Sequence, residues 1–259
     1  MELLGKLIRY AAHRIRVLSG SMGDPFVQSF MEQILYNKAV YPEFSLIEKY
    51  RSEIYSNNTL LETPDPGAGS RSQHSTFTLG SKAKAASVKP EYGRLLFRLV
   101  RTHQPERIIE LGTGAGISTL YLTYGNPGAR VITVEGNKQL AELASRNFVA
   151  RGLQQITLIN DTFDHVLPDL IRFASANTLV YIDGNHIFDS TIRYFDLLGK
   201  ASGYRCIMVL DDINWSGEMA RAWKTIRDSE HPGVVLDLFQ VGILFLGLGD
   251  LQQKFWLRY

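Results

Sequence analysis

The chain has little of several things, and each scarcity narrows what it can be. It has one cysteine, Cys206, so no intrachain disulfide can form, which suits a reducing compartment such as the cytoplasm. It has almost no surplus charge. The 28 Lys and Arg stand against 26 Asp and Glu and leave +2, so no basic footprint argues for nucleic acid. No apolar run reaches the roughly 20 residues of a membrane span. The N-terminal stretch is basic but lacks the apolar segment and small-residue site of a signal peptide. There is no internal repeat. What is there is an ordinary globular composition, 45% hydrophobic and 21% charged, long enough for one large core with a small extension.

The rest of the chain is organised around residues 107–117, R-I-I-E-L-G-T-G-A-G-I. Ile108 and Ile109 are β-branched and suit a buried parallel strand. Gly112, Gly114 and Gly116 crowd a turn, with Thr113 between the first two, and 117–124 reads as the following helix. Strand, glycine turn and helix bring backbone amides close to a nucleotide-like ligand. A dinucleotide turn reads G-x-G-x-x-G. Here the third glycine falls one position early, at Gly116, and an acid, Glu110, stands two residues before the first. A carboxylate there suits a cationic group such as an α-ammonium better than a pyrophosphate.

Residues 1 to about 20 read as an amphipathic helix, with Leu3, Leu4, Leu7, Ile8, Ala11, Ile15 and Leu18 at helical spacing and Lys6, Arg9, Arg14 and Arg16 on the polar side. Its apolar face is expected on the chain's own domain or on a second copy, rather than on a membrane surface. Two more helices follow, at 26–36 and 44–55, with Pro25 at a helix start and Pro42 between them. Residues 63–89 change character and read as a loop or lid, with a short helix near 81–88, or as a linker. From Pro90 onward strands and helices alternate, with strands at 107–111, 131–134, 156–159, 179–182 and 206–210. Two last strands, 234–239 and 241–246, lie so close that they should pair as an antiparallel hairpin. The expected organisation is a helical extension at 1–62, the loop at 63–89 and a ligand-binding domain at 90–259. The expected fold is a Rossmann-like α/β sheet, mostly parallel, seven-stranded and closed by that hairpin.

The strand ends carry acids. Glu135 ends the second strand, 23 positions after Gly112, where a carboxylate accepts both ribose hydroxyls of a nucleoside. Asp161 and Thr162 end the third, where an Asx turn capping the next helix is one reading. Asp183 and His186 follow the fourth, in D-G-N-H, and Asp211 and Asp212 follow the fifth, in D-D-I-N-W. Ligands of open α/β sheets sit beyond these carboxyl ends. Three carboxylates meeting there need a cation or a proton, and oxygen-only ligands suit Mg²⁺, Ca²⁺ or Mn²⁺. His186 is the general-base candidate, and neighbouring carboxylates are expected to orient it and raise its pKa. Trp215 is placed to wall an acceptor pocket.

E-L-G-T-G-A-G resembles the first motif of class I S-adenosylmethionine-dependent methyltransferases, and the closing hairpin resembles their fold over residues 90–250. The resemblance implies S-adenosylmethionine as cofactor, a small-molecule methyl acceptor and no nucleic-acid partner. It sets Glu110 toward the methionine ammonium, Glu135 toward the ribose, and Asp161 and Thr162 toward the adenine. Metal-dependent catechol-type O-methyltransferases carry Asp after the fourth strand, Asp-Asn after the fifth, and lysine three positions beyond the first Asp. This chain matches at Asp183 and Asp211 but has Asp212 for Asn and His186 for lysine. A metal on Asp183, Asp211 and Asp212, such as Mg²⁺, therefore stays open. The chain is also similar to a broad family of bacterial methyltransferases. A nicotinamide oxidoreductase and a non-catalytic scaffold are the rival classes. A homo-oligomer through the N-terminal helices is a further expectation.

Overall fold

The computed structural model describes residues 2–19, 23–61, 77–231, 233–249 and 252–259. In chain order they form α1 (Glu2–Ser19), α2 (Pro25–Phe30), a π-helical segment (Met31–Leu35), α3 (Pro42–Tyr55), α4 (Leu79–Ala86), α5 (Pro90–His103), β1 (Arg107–Leu111), α6 (Ile117–Gly125), β2 (Arg130–Glu135), α7 (Lys138–Ala150) and β3 (Ile156–Asn160). There follow α8 (Phe163–Phe173), β4 (Thr178–Ile182), α9 (Phe188–Ala201), β5 (Cys206–Leu210), α10 (Gly217–Asp228), β6 (Gly233–Asp237), β7 (Gly242–Leu246) and β8 (Gln252–Trp256). Residues 63–76 of the expected lid lie outside the described residues. Its expected short helix is α4, opened by a capping box. Thr78 accepts from the Ser81 amide at 3.1 Å, and Ser81 Oγ accepts from the Thr78 amide at 3.0 Å.

The chain folds as two compact units, Met1–Met31 with Leu167–Tyr259, and Glu32–Val166. In the unit Glu32–Val166, β1, β2 and β3 are parallel. Leu111 lies beside Val134 and Glu135 beside Asn160, so all three strands end at one edge. That register places the glycine turn, Glu135 and Asp161 on the same side of the unit. Ile108, Ile109, Val131 and Val134 fill the interior, as their branched side chains favour on a pleated surface. Helix α3 is held by an aromatic cluster, with Phe44 at 4.9 Å from Phe97 and 6.1 Å from Tyr121. Burying Phe44, Ile47, Tyr50 and Ile54 of α3 stabilises by roughly 1.5–3 kcal/mol per side chain. Two polar ties add direction: Tyr121 donates to Glu48 at 2.7 Å, and Arg51 donates to the Val88 carbonyl at 2.8 Å.

In the other unit β4 and β5 are parallel, β7 runs antiparallel to both β5 and β6, and the expected hairpin is β6–β7. The fold is α/β with mostly parallel pairing, as expected, but with eight strands among the described residues where seven are predicted. The additional strand, β8, pairs in parallel with β6. Helix α1 covers this edge, with the Arg16 guanidinium 5.0 Å from the Trp256 ring.

Helix α1 is turned the opposite way from an ordinary amphipathic helix. Its polar side meets its own unit: Arg9 donates to Asn214 Oδ1 at 3.1 Å, and buried His13 lies 3.0 Å from the Asp237 carbonyl. Its apolar side faces outward, with Leu3 75% and Ile15 67% exposed and Leu4, Leu7 and Ile8 also exposed.

Candidate functional site

The glycine turn between β1 and α6 is folded back on β2. The amides of Gly112 and Thr113 both donate to the Val134 carbonyl, at 3.0 and 3.1 Å. Gly114 has φ +54 and Gly116 φ +85, left-handed values that a side chain resists. A Cβ at Gly114 would meet nothing within 4 Å, so this point of the turn is open to a ligand. A Cβ at Gly116 would strike the Phe148 ring at 2.8 Å, so this glycine serves the packing of α6 on α7.

Glu135 is buried at the end of β2 and joins two loops. Its Oε2 accepts from the Gly114 amide at 2.7 Å, and its Oε1 from the Asn137 amide at 2.8 Å. Asn160 donates to the Glu135 carbonyl at 2.7 Å. Asp161 accepts from the Thr162 amide at 2.7 Å and pairs with His165 at 2.5 Å. The His165 hydrogen bond and then the Thr162 amide lower the Asp161 pKa.

Glu110 has no exposed surface. Its Oε2 accepts from Thr119 of α6 at 2.5 Å and from Thr133 of β2 at 2.6 Å, and Thr113 lies 2.5 Å from the same Thr133 hydroxyl. Burial pushes its pKa up, against hydrogen bonds from Thr119, Thr133 and Ser118. Thr119, Thr133 and His165 carry no motif signal. Only the four-residue spacing of His165 from Asp161 hints at a helical pair.

In the other unit the ends of β4 and β5 bring Asp183, His186, Asp211 and Asp212 together. The Tyr181 hydroxyl lies 2.8 Å from Asp211 Oδ2 and 3.1 Å from Asp183 Oδ2. One hydroxyl proton thus serves two carboxylates. Burial, and then the Asp212 charge, push Asp211 up to about 6. When Asp211 is protonated it donates to Tyr181, and Tyr181 donates to Asp183. Tyr181 was legible in principle, because residues two apart on a strand share a face.

Asp212 sits at φ +54, accepts from Gln240 and donates its amide to Asp211 Oδ1 at 2.7 Å. His186 Nε2 is 3.9 Å from Asp212 Oδ2 and 4.0 Å from Asp183 Oδ1, within ion-pair reach but beyond hydrogen-bond distance. Its pKa is lowered, not raised as the sequence suggests, because burial outweighs the Asp212 charge. The ring is therefore neutral and has a lone pair to offer near neutral pH. Trp215 is partly exposed, with its ring 5.6 Å from that of His186.

Among the described residues no group of three or more His, Cys, Asp or Glu side chains is arranged to hold a metal. Asp183 and Asp211 face a hydroxyl instead, and Asp212 faces an amide.

Residues 109–213 match the methyltransferase-domain family. A catechol O-methyltransferase of Niastella koreensis is 29% identical over 138 residues, 52% of this chain and 62% of that protein. A transmembrane O-methyltransferase homolog of Mus musculus is 36% identical over 84 residues, 31% of this chain and 33% of that one. The chain thus spans less than two thirds of these curated relatives. Among solved structures, the S-adenosylhomocysteine-bound methyltransferase PaMTH1 of Podospora anserina superposes with a TM-score of 0.58 at 14% identity, covering 88% of this chain and 99% of that one. The O-methyltransferase TomG of Streptomyces achromogenes, solved with S-adenosylmethionine, gives 0.56 at 17% identity over 85% and 94%.

The fold is therefore that of the class I methyltransferases. The stretch 109–213 is similar to the methyltransferase-domain family, and the curated relatives named above are O-methyltransferases.

Proposed function

We propose that the chain transfers a methyl group from S-adenosylmethionine to a hydroxyl of a small molecule. The observation that carries this reading is Glu135 fastened to the Gly114 amide beside open space in the glycine turn. There Glu135 would take the ribose hydroxyls, Asp161 and Thr162 would border the adenine, and Gly112, Thr113, Gly114 and Gly116 would shape the backbone against the nucleoside. Glu110 is fully buried, so it would act on the methionine ammonium through its field rather than by contact.

The cofactor supplies an electrophilic methyl on a sulfonium. The protein's task is to align the acceptor oxygen and to remove its proton. His186, neutral near pH 7, would take that proton at Nε2. Asp183 and Asp212 flank the ring and would stabilise the imidazolium that forms. Asp183, Tyr181 and Asp211 would polarise the acceptor. The test is incubation with S-adenosyl-L-[methyl-³H]methionine and a panel of phenols, catechols and aliphatic alcohols. Label on oxygen supports the reading, and label on nitrogen, carbon or no acceptor at all opposes it.

We assign α1 to oligomerisation. Five exposed Leu and Ile side chains, at roughly 100 Å² each, give about 1,000 Å² over two copies, the lower bound for a specific interface. Arg9 and His13 are engaged inward rather than rimming that face, which favours a second copy over an anionic membrane. Leu4→Lys with Ile8→Lys should turn a dimer into a monomer in light scattering. A wild-type monomer at 100 μM, or wild-type binding to anionic vesicles, would oppose this. We propose the cytoplasm as its compartment, which the single buried thiol of Cys206 suits.

A further inference from the structure

Helix α3 supplies a contact to the glycine turn that no motif marks. Tyr50 is only 3% exposed, and its hydroxyl donates to the Ala115 carbonyl at 2.6 Å, across 65 positions of sequence. Ala115 stands between Gly114 and Gly116, two of the three positive-φ glycines of the turn. Glycines leave the backbone soft, so a clamp between two of them limits the shapes the turn can take. The contacts from the strand side fix other atoms: the Val134 carbonyl holds the amides of Gly112 and Thr113, and Glu135 holds that of Gly114. The Tyr50 ring is itself held, with the Arg151 guanidinium 4.6 Å from its centroid. Burial pushes the Tyr50 pKa up, so the hydroxyl remains a donor throughout the physiological range. Ala115 is also buried, so its carbonyl would lose this partner without easy access to water.

We propose that Tyr50 is a positioning residue that holds the glycine turn in its ligand-ready shape and so sets cofactor affinity. This rests on the methyltransferase reading above. Helix α3 lies outside the family match at residues 109–213, so the clamp comes from the N-terminal helical segment.

The test compares Tyr50→Phe, which keeps the ring beneath Arg151, with Tyr121→Phe, which removes the hydroxyl that reaches Glu48 on the same helix. Calorimetry with S-adenosylhomocysteine should give a dissociation constant about tenfold higher for Tyr50→Phe and unchanged for Tyr121→Phe. In ligand-free protein the ¹⁵N amide signals of Gly114 and Gly116 should shift or broaden in Tyr50→Phe, while those of Ile108 and Ile109 stay in place. Wild-type affinity in Tyr50→Phe, or equal weakening in both variants, would overturn the proposal. If the wild type itself binds no S-adenosylhomocysteine, the cofactor reading has failed, and unmoved glycine signals would show separately that Tyr50 does not shape the turn.

Discussion

The Glu135 carboxylate and the Gly114 amide meet at 2.7 Å, tying the end of β2 to the turn that follows β1. A second oxygen of the same carboxylate holds the Asn137 amide at 2.8 Å, where α7 begins. One side chain thus preorganises two loops before any ligand arrives. Glu135→Ala removes both acceptors and the proposed ribose contact. It should weaken S-adenosylhomocysteine binding roughly 10- to 150-fold, as loss of hydrogen bonds to a charged group implies. Calorimetry on the folded variant checks this, and an unchanged affinity counts against the ribose role.

Asp211 gives a stability signature with a definite sign. Its folded pKa of about 6 lies above its ordinary 3.8 because of burial and then the Asp212 charge. Its contribution is therefore fully present below pH 3.8 and is lost as pH rises through about 6. The loss amounts to roughly 3 kcal/mol, at 1.36 kcal/mol per unit. Asp211→Asn cannot ionise and still meets the Tyr181 hydroxyl. Its stability relative to wild type should improve from pH 4 to pH 7.5, read as the difference in thermal midpoints. A pH-independent difference would contradict the buried, shared-proton arrangement.

His186 should show itself in the acid limb of kcat/KM. Burial lowers its pKa and the Asp212 charge partly restores it. The limb should fall below the ordinary 6.5, and Asp212→Asn should move it lower still. His186→Gln should reduce kcat by 10²- to 10⁴-fold, the range for a lost general base. A limb that moves upward in Asp212→Asn would contradict the role of that charge.

Chelation tests whether the chemistry needs a metal ion. Asp183 and Asp211 share a tyrosine hydroxyl, and Asp212 accepts from Gln240. Turnover should survive exhaustive treatment with EDTA. Loss of activity with recovery on adding Mg²⁺ would show that these acids rearrange around an ion.

Much of this was legible in the sequence because local chemistry and tertiary place agree. β-Branched runs mark β1, β2 and β4, and the glycines mark the turn. The near-contact of 234–239 with 241–246 marks the hairpin. β8 escaped because Q-Q-K-F-W has only two apolar residues in five, and its strand state comes from pairing with β6. α8 escaped behind Pro168, which interrupts its helical pattern. The outward apolar face of α1 could not be read, because periodicity defines a face but not its direction. The partners of the acids were equally hidden. Thr119, Tyr50 and Gln240 reach Glu110, Ala115 and Asp212 only through the fold. The pKa of His186 followed burial, which a list of neighbouring carboxylates does not contain.

The Glu135–Gly114 cradle, on the reading proposed above, is built for S-adenosylmethionine. The most direct measurement is isothermal calorimetry of the wild-type chain with S-adenosylhomocysteine and, separately, with NAD. The expected result is saturable one-to-one binding of S-adenosylhomocysteine, strongly weakened in Glu135→Ala, and no heat with NAD. Binding of NAD with no response to S-adenosylhomocysteine would contradict it.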